Sequence, residues 1–250
     1  MISKTELQEY ARLKNYNLGQ AEKDYFQEIL LFILYRELGS ELVFKGGTAL
    51  TKCFGFNRFS EDLDFTASKQ LPLTQIISEG LKKFYIPFTI EQNEYEHSIQ
   101  IVCRLQGPLY VNQPNSLCRI EIDCSYREEI LRDTVQKTIG LHISEIPTFQ
   151  VIVMSELEIL AEKVRAILTR NKARDVFDMY YLLQKNTFID VALVNSKLAF
   201  YDMSFSFDVF MDAILQKQTI WDSELRYLVK VYPSFSEVRD LVCMSFRALR

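Results

Sequence analysis

The chain has 250 residues, of which 48% are apolar and 25% charged, with a net charge of −4 and a pI of about 5.4. This is an ordinary globular composition, and the length allows one large core or two modest ones. The negative net charge argues against a protein that coats nucleic acid non-specifically. Any RNA contact is therefore expected at a local basic patch.

The cysteine and histidine content limits the kinds of metal site and disulfide that the chain can form. The five cysteines include no Cys-x-x-Cys pair, and only two histidines are present. A zinc site and a disulfide framework are not expected, and a reducing cytoplasm fits this usage. The longest apolar run, Ile29 to Tyr35, is too short to cross a bilayer, so we expect no membrane helix and no signal peptide.

Hydrophobic periodicity predicts the following elements. Apolar residues recur at helical spacing over 20–38 and 73–84, and period-two alternation marks extended segments at 42–44, 62–65, 86–91, 97–106 and 117–125. After Pro147 a short extended run, 149–153, gives way to helices. Ser155 with Glu158 predicts a capping box for a helix that runs to about Thr169, and another helix is expected from about Ala173.

The most informative stretch is VFKGGTALTKCFGFNRFSEDLDF, from Val43 to Phe65. Gly46 and Gly47 follow the first short strand and predict a turn that a Cβ would obstruct, where phosphate could approach. Thr48 is predicted to cap a short helix, so that free backbone N–H groups and a hydroxyl face the same small space.

Two aspartates lie near the end of this stretch. Strand alternation puts the carboxylates of Asp62 and Asp64 on one face, where they repel each other unless a cation holds them. Oxygen ligands of this kind suit Mg²⁺, or Mn²⁺, bridging to the phosphates of a nucleotide. The alternative interpretation is a Gly-rich turn followed by a charged edge strand.

The extended segment 117–125 offers a further acid. Arg119, Glu121 and Asp123 alternate with apolar residues, so an acid can lie beside Asp62 and Asp64 if the strands are neighbours. Asp123 is the choice over Glu121. The competing interpretation is a solvated polar face with an Arg119–Glu121 pair.

A basic cluster follows in the helical region. The stretch 163–174 contains Lys163 and Arg170, two helical turns apart and predicted to share a face away from the buried stripe, and also Arg174, without one acid. We interpret it as a local anion site. Asp175 and Asp178 follow on the next helix, and either direct chemistry or orientation of the basic residues is open for them. A surface ion pair between Arg174 and Asp178 is the plain structural alternative.

The ordered combination of these motifs resembles a known family. Gly46-Gly47-Thr48, a gap and Asp62-x-Asp64 look like the first motif of the DNA polymerase β type nucleotidyltransferases, and more narrowly of the AbiEii and MenT-like toxins. The spacing Lys-x6-Arg followed by Asp-x-x-Asp resembles two further motifs of that group. The resemblance spans about residues 42–183.

The resemblance implies an α/β (α+β) fold. We expect a nucleotidyltransferase domain with a small mixed sheet over residues 1–150 and a helical domain over 151–250. The resemblance also implies that Asp62, Asp64 and Asp123 bind the metal and that Lys163 and Asp178 have catalytic roles. The residues expected to hold the nucleotide are Gly46, Gly47, Thr48, Arg170, Arg174 and Asp175.

The implied reaction is metal-dependent transfer of NMP from an NTP to a hydroxyl acceptor in the cytoplasm. The expected acceptor is RNA, at the 3′ end of tRNA, and the expected context is a toxin–antitoxin or abortive-infection system with a cognate antitoxin. Two alternatives stay open: nucleotidylation of protein, and a non-catalytic nucleotide-binding scaffold. A nuclease is disfavoured, because it has little use for a triphosphate-binding turn.

Overall fold

The computed structural model describes residues 1–127, 129–140 and 145–247. The chain divides into two compact units. The first comprises residues 1–55, 59–130 and 134–153, and the second comprises residues 56–58, 131–133 and 154–250. Among the described residues, no helix is long and apolar enough to cross a membrane.

The first unit is built on a mixed sheet. Its described residues contribute seven strands, namely β1 (Val43–Lys45), β2 (Leu63–Thr66), β3 (Phe88–Tyr95), β4 (Ser98–Leu105), β5 (Cys118–Ser125), β6 (Val135–Ile139) and β7 (Phe149–Val153). They lie in the order β3-β4-β5-β2-β1-β7-β6. The β2–β5 and β1–β7 pairs are parallel and the others antiparallel. The mixed sheet that periodicity predicts is confirmed; β6 was not predicted.

In the described residues of the first unit, four α-helices precede or interrupt the strands: α1 (Lys4–Lys14), α2 (Leu18–Leu38), α3 (Gly46–Phe54) and α4 (Leu73–Lys83). Helix α2 contacts α1, α4, β5 and β7, and it supplies a large part of the apolar core. It ends at Leu38 and is followed by the C-cap Gly39, whose positive φ of 49° suits a residue without a Cβ, as the sequence indicates. Helix α1 had no sequence prediction.

The strand register sorts side chains between the two faces of the sheet. Phe44, Phe65 and Cys124 occupy one row across β1, β2 and β5, and all three are fully buried. The adjacent row, one residue along each strand, is polar, and it runs through Lys45, Asp64, Asp123 and Gln100. Because alternate side chains point to opposite faces, the core and the polar row lie on opposite sides of the sheet.

The second unit is helical. It contains α5 (Glu156–Thr169), α6 (Ala173–Gln184), α7 (Val191–Ala199), α8 (Phe207–Gln216), α9 (Trp221–Leu225) and α10 (Phe235–Arg247), with a 3₁₀ turn over Lys217–Ile220. Trp221 is buried, and its ring meets Phe177 and Phe235 edge-on. The aromatic side chains of the second unit therefore include packed core residues, as the amphipathic pattern predicts.

The capping box predicted at the start of α5 is half right. The Ser155 hydroxyl accepts the backbone N–H of Glu158 at 3.3 Å, so Ser155 is the N-cap. The Glu158 carboxylate, however, is buried and accepts the backbone N–H groups of Leu131 and Arg132, both at 3.0 Å. It also pairs with Lys197 at 2.6 Å. These distant partners draw the carboxylate away from the Ser155 backbone.

Candidate functional site

The Gly-Gly turn and the first acidic strand meet directly. Gly46 has a φ of +75°, and a Cβ added there would lie 2.9 Å from Cγ of Asp64 and closer still to Oδ2. Gly46 is also the first residue of α3, so the Asp64 carboxylate lies at the N-terminal end of that helix. Backbone N–H groups without a helical partner and the helix dipole favour negative charge at this place. The turn that sequence predicts is therefore present and closely packed.

Asp64 and Asp123 lie directly opposite each other. Parallel pairing of β2 with β5 sets Leu63 against Ile122 and Asp64 against Asp123. Neighbouring strands lie about 4.7–4.9 Å apart, so side chains in register on one face of a sheet are neighbours. The sequence expectation that an acid of this strand lies beside Asp64 is confirmed, and the register selects Asp123. Glu121 instead pairs with Arg119, so the alternative surface pair also exists, one step along the same strand.

The carboxylate of Asp123 is in a strongly negative environment. Burial, together with the charges of Asp64 and Asp62, raises the pKa of Asp123 to about 6. A hydrogen bond from Gln100 offsets this only in part. The charges of Asp64 and Asp62 thus oppose ionisation of Asp123, and a cation would compensate this repulsion.

The aspartates of this site fit a metal ion whose coordination is completed by waters and substrate, and not a metal site closed by protein ligands alone. In residues 1–127, 129–140 and 145–247, no three His, Cys, Asp or Glu side chains converge as a complete metal-binding group. Mg²⁺, however, is commonly held by one or two carboxylates together with waters and substrate phosphates. The Asp64–Asp123 pair fits such a substrate-completed site; Asp62 as a third ligand stays a prediction.

Thr48 has a different structural role from the predicted one. Helix α3 begins at Gly46 with Lys45 as its N-cap, so the prediction that Thr48 caps the helix is wrong. Its side chain is buried, and its hydroxyl donates to the carbonyl oxygen of Asp62 at 2.5 Å. The positive φ of Gly46 lets the helix start two residues earlier, which frees the hydroxyl for this bond.

Gln27, on α2, holds the same segment, and sequence reasoning missed it. Its Nε2 donates to the carbonyl oxygens of Ser60 and Glu61 at 3.0 and 2.9 Å. With Thr48, three successive carbonyls ahead of Asp64 are fixed by side chains from two helices. The sequence offers one signal for this role, a glutamine on a helix with an apolar face. In the structure Gln27 is only 1% exposed, and a buried amide needs hydrogen-bond partners.

The predicted residues of the second unit form a buried ionic cluster. Lys163 Nζ lies 2.8 Å from Oδ1 of Asp175 and 2.5 Å from Oδ2 of Asp178. Arg170 donates through Nε and Nη2 to Asp175 at 2.7 and 2.8 Å. Lys163 is buried, so the prediction that it shares an outward face with Arg170 is wrong. The basic stretch is compensated by acids of the next helix because α5 and α6 pack together.

Arg58 completes this cluster. It is 3% exposed and donates through Nε and Nη2 to the two carboxylate oxygens of Asp178, at 2.7 and 3.0 Å. Burial alone would raise the pKa of Asp178, but Arg58 and Lys163 outweigh it and hold that pKa below its usual value. Lys163 and Arg170 likewise outweigh burial and lower the pKa of Asp175. Both aspartates are therefore ionised partners.

Arg174 does not pair with Asp178, so the surface-pair alternative is wrong. Its Nε lies 3.8 Å from Oε1 of Glu224. The structure thus collects the predicted site residues into two groups. Asp62, Asp64, Asp123 and the Gly-Gly turn lie in the first unit; Lys163, Arg170, Arg174, Asp175 and Asp178 lie in the second.

Solved structures share this fold. MenT4, a nucleotidyltransferase toxin from Mycobacterium tuberculosis H37Rv, superposes with a TM-score of 0.68 at 20% identity, over 98% of this chain and 89% of that one. JHP933 from Helicobacter pylori superposes with a TM-score of 0.56 at 18% identity, over 100% of this chain and 93% of its own. The chain therefore shares the fold of these two proteins.

The family follows from sequence. A model described as the nucleotidyl transferase AbiEii toxin of type IV toxin–antitoxin systems matches residues 31–239. The chain therefore belongs to the AbiEii nucleotidyl transferase toxin family, as the motifs predict. No protein with a curated function matches it in sequence.

Proposed function

We propose that this protein transfers a nucleoside monophosphate from an NTP to the 3′-terminal hydroxyl of tRNA, in a divalent-metal-dependent reaction. The observation that carries the proposal is the register of Asp64 against Asp123, with the Gly46 turn against Asp64. Membership of the AbiEii family supports the reaction class and a toxin–antitoxin context with a cognate antitoxin. The reaction is proposed for the cytoplasm, where both substrates occur.

The residues of the first unit supply the chemistry in this proposal. Asp62, Asp64 and Asp123 hold Mg²⁺ or Mn²⁺, which, when bound, neutralises phosphate charge. Backbone N–H groups of Gly46, Gly47 and Thr48 bind the β and γ phosphates. The acceptor oxygen forms a bond to the α-phosphorus, the bond from that phosphorus to the bridging oxygen breaks, and pyrophosphate leaves. Asp123 serves either as a metal ligand or as the base that accepts the proton of the attacking hydroxyl.

The residues of the second unit have supporting roles. We assign Lys163 and Arg170 to neutralisation of phosphate charge and Arg174 to nucleotide binding. The tight bonds of Asp175 and Asp178 to cations favour orientation of those cations over direct chemistry for the two acids. For an acidic protein, a terminal acceptor is also the simpler target, since binding a short anionic segment does not require the long basic surface that a duplex needs.

The deciding experiment compares acceptors. Purified protein is incubated with each labelled NTP, Mg²⁺, and total RNA and total protein from a bacterial lysate. We expect label in tRNA, its loss in Asp123→Asn, and its retention in Glu121→Gln, which removes a carboxylate two residues away on the same strand face.

The other outcomes separate the alternatives. Label in protein alone would replace the tRNA proposal by protein nucleotidylation. Label in neither, with intact NTP binding, would leave a nucleotide-binding scaffold. Equal activity of Asp123→Asn and Glu121→Gln would remove Asp123 from the site.

A further inference from the structure

A buried ion pair joins the helix of the Gly-Gly turn to α2. Lys52 lies in the last turn of α3, and its side chain is only 4% exposed. Its Nζ lies 2.7 Å from Oδ1 of Asp24 and 3.3 Å from the carbonyl oxygen of the same residue. Burial by itself would lower the pKa of Lys52, but the charges of Asp24 and Glu28 outweigh it and raise that pKa. The ammonium is therefore a charged donor that holds the C-terminal end of α3 on α2.

Helix α1 contributes a second lysine to the same two acids. Lys14 Nζ lies 3.8 Å from the carboxylates of both Asp24 and Glu28. The Tyr10 hydroxyl also donates to Oδ2 of Asp24, at 2.5 Å. Lys52 lies 3.5 Å from Glu28 in addition to its contact with Asp24. Lys14 and Lys52 thus compensate the same acids, but of the two only Lys52 belongs to the helix that begins at the turn.

Helices α2 and α3 and the segment 60–62 are joined in a closed loop by three sets of hydrogen bonds. Lys52 joins α3 to α2. The Thr48 hydroxyl joins α3 to the segment 60–62, and the side-chain amide of Gln27 joins α2 to the same segment. Because each of the three is held by the other two, the loop fixes where α3 begins relative to the aspartates that follow the turn.

Helix α3 transmits the position of Lys52 to the turn. Gly46 is the first residue of the helix and Lys52 is six residues later, which is about 9 Å along the helix axis. A short helix held near one end by Lys52 and near the other by Thr48 keeps its first backbone N–H groups in one position. Groups that bind a reacting ligand need such precision, since a displacement of about 1 Å is costly.

We propose that Lys52, through its bond to Asp24, is a positioning residue that holds the phosphate-binding turn in place for the nucleoside triphosphate. Lys52 acts through α3 and does not itself touch the ligand. Asp24 precedes residues 31–239, which match the family model, so membership of the family does not assign this link. Phosphate binding by the turn rests on the proposed function, whereas the link rests on the contacts of Lys52.

The first test compares the two lysines that contact the same acids. Calorimetry measures binding of an NTP with Mg²⁺ to the wild type, Lys52→Met and Lys14→Met, with the NTP that the wild type binds most tightly. We expect the affinity to fall about tenfold or more in Lys52→Met and to stay within about twofold in Lys14→Met, because Lys14 does not hold α3. A fall in Lys52→Met no larger than that in Lys14→Met overturns the inference.

A double-mutant cycle tests the pair itself. Asp24→Leu and Lys52→Met break the same link, so the double variant should lose about tenfold in affinity and not about a hundredfold. Losses that multiply would show that the two residues act separately, which contradicts the inference. The double variant also removes both charges of the pair, so it replaces Lys52→Met in the comparison if that variant does not fold.

Hydrogen exchange of the α3 amides gives a readout that needs no nucleotide. In nucleotide-free protein, these amides should exchange about tenfold faster in Lys52→Met than in the wild type, and at the wild-type rate in Lys14→Met. Wild-type protein that binds no NTP would contradict the proposed function, and exchange would then decide the inference alone. Equal exchange in Lys52→Met and the wild type would in that case overturn it.

Discussion

The Asp64 carboxylate packs against the backbone of Gly46 so closely that no side chain fits at residue 46. The turn and the acid are thus one structural feature, although 17 residues lie between them in the sequence. Any phosphate-binding property of the turn depends on where Asp64 is held.

Gly46→Ala tests this packing. Because Gly46 has a positive φ and contacts Asp64, we expect the variant to lose about 1–3 kcal/mol in the free energy of unfolding. A displaced Asp64 should also reduce transfer about a hundredfold. Gly39→Ala is the matched control, because Gly39 has a φ of +49° and nothing within 4 Å of an added Cβ. We expect it to lose stability but keep transfer; wild-type transfer by Gly46→Ala would refute the coupling.

Gln27→Met tests how the segment before Asp64 is positioned. The variant keeps the length of the side chain and removes both donors to the carbonyls of Ser60 and Glu61. Turnover should fall about tenfold while NTP affinity stays within a few-fold, since Gln27 acts through the backbone that carries the acids. Gln75→Met removes an amide that donates to Glu79 on the exposed side of α4 and should change neither quantity. Equal kinetics for both variants would contradict the positioning role.

Asp123→Asn tests the negative cluster through the pH dependence of stability. The pKa of Asp123 is raised to about 6 in the folded protein, above its ordinary value near 3.8. As pH rises from about 4 to 6, the unfolded chain loses this proton first, so the wild type loses stability over that interval. The Asn variant, in EDTA, should be more stable above pH 6 and no more stable near pH 4. The gain should not exceed about 1 kcal/mol, because solvent screens a partly exposed side chain.

The measurement is urea denaturation from pH 4 to 8. Glu121→Gln serves as control, since its carboxylate pairs with Arg119 on the same face. A stability difference between Asp123→Asn and the wild type that does not change with pH would count against mutual repulsion of the acids.

Arg58→Met tests the ionic cluster of the second unit. Loss of the guanidinium leaves Asp178 buried with Lys163 alone and should cost about 3 kcal/mol of unfolding free energy at pH 7. Because the pKa of Asp178 is lowered by its cations, this contribution is present above about pH 4 and is lost as pH falls further. Arg239→Met, which breaks an exposed pair with Asp240, should cost less than about 0.5 kcal/mol. A similar small cost for Arg58→Met would show that the cluster is not a structural unit.

Sequence by itself determined the local features of this protein. Alternation along β5 predicted that Arg119, Glu121 and Asp123 share a face, and helical spacing predicted the ends of α2 and α5 closely. The motif Gly46-Gly47 followed by Asp62-x-Asp64 predicted the turn, the acidic strand and the family. Such features depend on the backbone geometry of a few neighbouring residues, so the pattern of the sequence predicts them directly.

The tertiary structure alone decided which side chains meet. It paired Arg58 with Asp178 across 120 residues of chain, buried Lys163 between two acids, and turned the Thr48 hydroxyl to the Asp62 carbonyl. It also chose Asp123 over Glu121 through the register of two parallel strands. Periodicity reports the direction of a side chain relative to its own element, but its partner depends on which elements pack together and in what register.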